Sequence, residues 1–173
     1  MKIFEKYAYY QFRKKIATQE RQAKMPKEGK ISRVGVLWQP EQKEAYNYLY
    51  DHFGKAKTIF RNLCISDQTV SSQLNSNSVT KKDLNWLGFP QSAAVDNFIP
   101  IEFDVLLNIA LEQNLVLDYI TAFSRAKFKI GWSESEKNYF DLNINIGDKQ
   151  DALYLAKQQI FYLGQLNKTK TDE

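Results

Sequence analysis

Few side chains in this sequence are of the types that do chemistry: one imidazole (His52), one thiol (Cys64) and two aspartates, Asp104 and Asp141, each following a Phe at the head of an apolar run. A nucleophilic triad needs a base held beside its nucleophile, whereas His52 stands two residues before a helix-ending Gly54. There an imidazole meets the last helix carbonyls or solvent. Cys64 sits inside TIFRNLC, has no second cysteine to pair with, and reads as a core residue. One Cys and one His also exclude the ligand sets of structural zinc, and no Asp/Glu cluster has metal spacing, so no metal is expected. Asp104 and Asp141 resemble an acid/base pair, but both fall at strand starts, opposite the edge where ligands usually bind. We expect them to hold backbone and turns.

Phosphate loops need clustered glycines, so that backbone N–H groups converge without a Cβ in the way. The seven glycines stand alone at 29, 35, 54, 88, 131, 147 and 164, which builds neither a dinucleotide fingerprint nor a P-loop. No cofactor is expected.

The elements that position these residues follow from pattern. RVGVLW (33–38), TIFRNLC (58–64), 103–109, 127–131 and 139–146 read as buried strands, and Gly35 within the first marks a close approach by another element. Helices are expected from Pro40 to Gly54, from about Leu115 to Arg125, and from an Asp148 cap through about Leu166. Residues 66–78 read as a polar loop. In 80–90, Trp86, Leu87 and Phe89 call for burial while Gly88 and Pro90 break regular structure, so a short strand or a turn pinned by Trp86 is expected. The fold class is α/β: a Rossmann-like three-layer sandwich with a mostly parallel sheet, preceded by a basic amphipathic N-terminal helix. One domain over 31–166 is expected, with residues 1–30 before it and a frayed tail at 167–173. If a pocket exists, the carboxyl ends of the strands nominate Trp38, Gln39, Asn108, Trp132 and Ser133.

Charge is distributed unevenly. Residues 1–30 hold nine Lys/Arg against three acids, a balance of +6 in a chain whose net charge is +4. On a helix wheel, Lys2, Lys6, Arg13 and Lys24 share one side, and Pro26 ends the helix. With Lys14, Lys15 and Arg21 they form a basic segment suited to phosphates or anionic lipid. The interleaved Tyr7, Tyr9, Tyr10 and Phe12 favour RNA, whose bases stack on aromatic rings. Charges at Glu5, Lys6 and Arg13 interrupt any export signal, and no apolar run reaches membrane-spanning length, so a cytoplasmic location is expected.

The segments TKKDLNWLGFP, FDVLLNI, SRAKFKIGW and YFDLNINI, behind the basic helix, resemble an uncharacterised domain family of the Bacteroidota. Its motif residues Lys82, Asp83, Trp86, Gly88, Phe103, Asp104, Ala126, Lys127, Gly131 and Asp141 bring no role with them. Residues 103–146 are also similar to the acceptor-side half of heptosyltransferase-type glycosyltransferases, which implies a Rossmann-like half-domain without a complete catalytic cleft. The leading expectation is a non-enzymatic binding or assembly protein whose basic helix engages RNA or a ribonucleoprotein. A sugar-nucleotide or nucleotide-handling enzyme is one alternative, and peripheral attachment to an anionic membrane is another.

Overall fold

The computed structural model describes residues 3–27, 29–55, 57–67 and 77–168. Its apolar runs form the strands β1 (Arg33–Trp38), β2 (Ile59–Ile65), β3 (Ser78–Val79), β4 (Val105–Asn108), β5 (Lys129–Gly131) and β6 (Leu142–Asn143). They lie side by side in the order β3-β2-β1-β4-β5-β6, with every pairing parallel. This is a Rossmann-like sheet, and it reverses direction of growth between β1 and β4.

Because β1 and β4 are central, both of their faces are buried. Val34, Val36, Val105 and Leu107 point to one side, into a core completed by Ala45 and Leu49 of α2 (Lys43–Phe53) and Leu155, Ala156 and Leu163 of α5 (Ala152–Lys168). Leu37 and Leu106 point to the other side, toward α3 (Ala93–Phe98) and α4 (Leu115–Phe123). Gly35 lies under the Phe103 ring, where a Cβ would come within 2.8 Å of ring carbons, which is the close approach that its place in a strand implies.

The sequence of α4, LVLDYITAF, is apolar on two opposite sides with Asp118 as its one charge, and such a helix needs cover on both sides. Val116, Leu117 and Ile120 pack toward the sheet. On the outer side, Leu115, Tyr119, Ala122 and Phe123 meet the helix α1 (Ile3–Ile16) through Ala8 and Phe12. The N-terminal helix is thus a further layer laid over α4.

Several elements differ from expectation. The N-terminal helix stops at Ile16 rather than near Met25; a turn follows at Ala17 and Thr18, and the chain to Lys27 leaves the helix. Interactions made only by the chain off the helix explain this: Arg21 bonds the carbonyls of Ala126 and Lys127, and the Lys24 N–H donates to the Lys127 carbonyl at 2.8 Å. Lys24 and Arg21 therefore do not lie on the helix with Lys6 and Arg13. Trp86 is 79% exposed, not buried. The Asn85 side-chain oxygen accepts from the N–H groups of Leu87 and Phe89, and Gly88 takes φ +87°, so the turn sends those two side chains inward and Trp86 outward. The short helix α3, capped by Ser92, was not anticipated. Only Leu142–Asn143 of the expected 139–146 strand pairs, since Phe140 packs on Gly131 and Tyr139 on Phe12 instead. Asp151, not Asp148, caps α5, accepting from the Leu153 and Tyr154 N–H groups. Most of the expected 66–78 loop, the end of the expected tail and Lys2 lie outside the described residues.

Candidate functional site

The inner side of α1 is locked by aromatic packing. Phe12 is fully buried, its ring centroid 5.1 Å from Tyr139, 5.9 Å from Phe123 and 6.0 Å from Tyr119. With that side fixed, helical spacing turns Ile3, Tyr7, Tyr10 and Lys14 outward as one stripe. Ile3 is 83% and Tyr10 61% exposed. Lys6 and Arg13 flank the stripe on one side. Lys15 flanks it on the other, its ammonium 5.4 Å from the Phe89 ring centroid. Among the described residues the ion pairs are Arg21–Asp141, Arg125–Glu102 and Lys127–Asp104, which leaves the charges of Lys6, Lys14 and Lys15 facing solvent.

The segment after α1 is used differently. It follows the amino edge of the sheet, where Arg21 grips Asp141 with two nitrogens at 2.6 and 2.5 Å. Asp141 also accepts the Lys129 N–H at 2.8 Å. Asp104 accepts from the Lys127 ammonium at 2.8 Å and from the N–H groups of Ser32 and Arg33 at 2.9 and 3.0 Å. Burial pushes the Asp104 carboxyl upward, but these donors outweigh it and hold the group below its usual range. Both aspartates join strands to backbone.

Two clefts open at the carboxyl edge. The smaller, ≈ 860 Å³, lies at the β1/β4 reversal, where a dinucleotide would sit in an open α/β sheet. Its lining includes Glu41, Glu44, Asp67, Glu112 and Asp151 and, among the described residues, no Lys or Arg. That potential repels phosphate. The larger, ≈ 1040 Å³, is walled by α1, α4 and the segment after β5, and holds Lys6, Tyr9, Arg13, Asp118, Lys137 and Tyr139. Here the Tyr9 hydroxyl donates to Asp118 at 3.2 Å. Burial raises the Asp118 carboxyl to about 6, against the pull of that hydrogen bond. The Tyr9 phenol is raised by burial and then by the Asp118 charge, and the Tyr139 phenol is likewise raised by burial and then by Asp118, against the pull of the nearby Arg13.

The nominated pocket residues separate. Ser133 lines the larger cleft and Gln39 the smaller. Asn108 is fully buried, donating to Gln113 and Thr121 and accepting from the Ala110 N–H, so it shapes the edge from below. Trp132 is buried in the α2/α5 core. Trp38 stacks on Tyr46 with centroids 4.4 Å apart and donates to the Asn62 side chain. Asp118, Lys137 and Tyr139 were not nominated from sequence, and Tyr9, expected as a base-stacking ring, turns into this cleft against Asp118 instead. The available signal was Asp118, the one charge in an otherwise apolar helix.

The remaining reactive groups are quiet. The Cys64 thiol is buried and pushed up to about 11 by that burial. His52 is exposed, with its ring against Phe53. Lys129 is buried, with its amine donating to the Ala122 carbonyl at 2.9 Å. No group of three or more His, Cys, Asp or Glu among the described residues could hold a metal, and no described helix is long and apolar enough to cross a membrane.

An uncharacterised protein of Borreliella burgdorferi (strain ATCC 35210 / DSM 4680 / CIP 102532 / B31) is 32% identical over 118 residues, covering 58% of this chain and 25% of the relative. The match therefore spans about a quarter of that relative's length. No solved structure matches. A family of unknown function, DUF6913, has a model that matches residues 5–166, nearly the whole chain. The chain belongs to that family.

Proposed function

We propose that this chain is a non-enzymatic binding protein that engages RNA through the outer face of α1. The observation that carries the reading is a helix whose inner face is fixed by Phe12, leaving Tyr7 and Tyr10 exposed among Lys6, Arg13, Lys14 and Lys15. Rings offer stacking surfaces to unpaired bases, and the surrounding cations draw the phosphates between them. A rigid platform of this kind loses little entropy on binding. The carboxylate lining of the reversal-point cleft weighs against the nucleotide-handling alternative, because a pyrophosphate there would meet like charge. Against a membrane reading stands the order of side chains: the most exposed apolar groups of α1, Ile3 and Phe4, are confined to the start of the helix, and the rest of its outer face carries hydroxyls and charge.

Fluorescence anisotropy with a labelled single-stranded RNA tests this directly. The double variant Tyr7→Ala/Tyr10→Ala is expected to bind at least about tenfold more weakly, from stacking worth ~1–3 kcal/mol per base. The Lys14→Glu/Lys15→Glu variant is expected to lose more. RNA binding unchanged in both variants, or retention by anionic vesicles but not by RNA, contradicts the proposal.

A further inference from the structure

We propose that the larger carboxyl-edge cleft binds a small ligand with one phosphate and several hydroxyls, a sugar phosphate by class. The site shares Lys6 and Arg13 with the RNA platform but none of Tyr7, Tyr10, Lys14 and Lys15.

The first argument is position and size. The cleft opens at the edge where parallel sheets take ligands, and its ≈ 1040 Å³ is ample for a sugar-sized molecule. The second is that its walls are built in advance. Gln113 pins the loop after β4 by donating to the Trp132 carbonyl at 3.0 Å and accepting from Asn108 at 2.9 Å. The segment after β5 is held in turn by Asn143, which accepts the Ser133 N–H and donates to the Ser133 carbonyl, both at 2.9 Å. Ser133 then accepts the Ser135 N–H at 3.1 Å. A loop that merely filled space would not need this framework.

The third argument is chemical. Lys6, Arg13 and Lys137 approach from two separate elements, enough to hold one phosphate. Four carboxylates, Glu112, Asp118, Glu134 and Asp148, share the lining, which disfavours a polyphosphate but suits hydroxyl donors. Tyr9 and Asp118 form a hydrogen-bonded pair at the wall, with a hydroxyl and a carboxylate oxygen offered together. Tyr139 adds a ring beside them.

Titration of ¹⁵N-labelled protein with glucose 6-phosphate, glucose and inorganic phosphate tests the assignment. Glucose 6-phosphate is expected to shift the amides of Ser133, Ser135 and Gln113 and to bind at least about tenfold more tightly than either fragment. Lys137→Gln and Asp118→Asn are each expected to weaken it by about tenfold or more while their spectra remain folded. Tyr7→Ala/Tyr10→Ala should leave it unchanged, so failure here and failure of the RNA reading are separable. No shifts at millimolar glucose 6-phosphate, affinity equal to that of inorganic phosphate, or full binding by both cleft variants overturns the proposal.

Discussion

The two edges of the sheet use the same side chains to opposite ends. At the amino edge, Asp104 and Asp141 each accept from a cation and from backbone N–H groups, and the chain between α1 and β1 is drawn across the strand starts. At the carboxyl edge, the half-buried Asp118 accepts from the Tyr9 phenol, while Lys6, Arg13 and Lys137 line open space. The comparison teaches that an aspartate facing a basic segment has no fixed meaning. A carboxylate that gains several donors stabilises the fold, and one that loses water for a single donor weakens it.

Cutting the structure that links the edges should have the largest effect. Phe12→Ala empties a fully buried site between α1, α4 and Tyr139 and is expected to cost about 3–5 kcal/mol, measured by urea unfolding. Next, Asp141→Ala removes the acceptor of both Arg21 and the Lys129 N–H. A loss of about 3 kcal/mol is expected. Its counterpart at the other edge should have the opposite sign. The Asp118 carboxyl has its folded value raised to about 6 from 3.8, so the native state binds the extra proton and stability falls as pH rises through that window. Asp118→Asn removes this fall and is expected to stabilise by about 1–2 kcal/mol at pH 7, with an upper bound of ~3. A destabilisation like that of Asp141→Ala would erase the contrast.

Lys129 sharpens the comparison from inside the sheet. Burial, then repulsion from Arg21, lowers its amine to about 7 from 10.5, so the unfolded chain binds more protons in between and stability should rise with pH across that interval. Lys129→Met is expected to flatten the rise and add about 1 kcal/mol near pH 6, since a buried charge is replaced by an apolar chain of similar length. Thermal melts from pH 6 to 10 measure both effects.

Much of the scaffold was legible because buried parallel strands leave apolar runs, and RVGVLW and FDVLLNI pair where those runs fall. The structural use of Asp104 and Asp141 followed from their place at strand starts. Helix α1 was legible as amphipathic, but its end was not, because Arg21 and Lys24 are held off the helix by partners about a hundred residues away. Trp86 was misread for a local reason: composition asks for burial, whereas the Asn85 turn decides which way each neighbour points. The Tyr9–Asp118 pair spans 109 residues and left no spacing to read.

The most direct test of the account is the salt dependence of RNA affinity. Between 50 and 300 mM KCl, a plot of log K against log salt for single-stranded RNA should have a slope near −3, as expected for about four phosphates met by Lys6, Arg13, Lys14 and Lys15. Changing Lys14 and Lys15 to Ala should bring the slope to about half that value. A slope near zero, or one unchanged in that variant, would show that the outer face of α1 does not bind RNA.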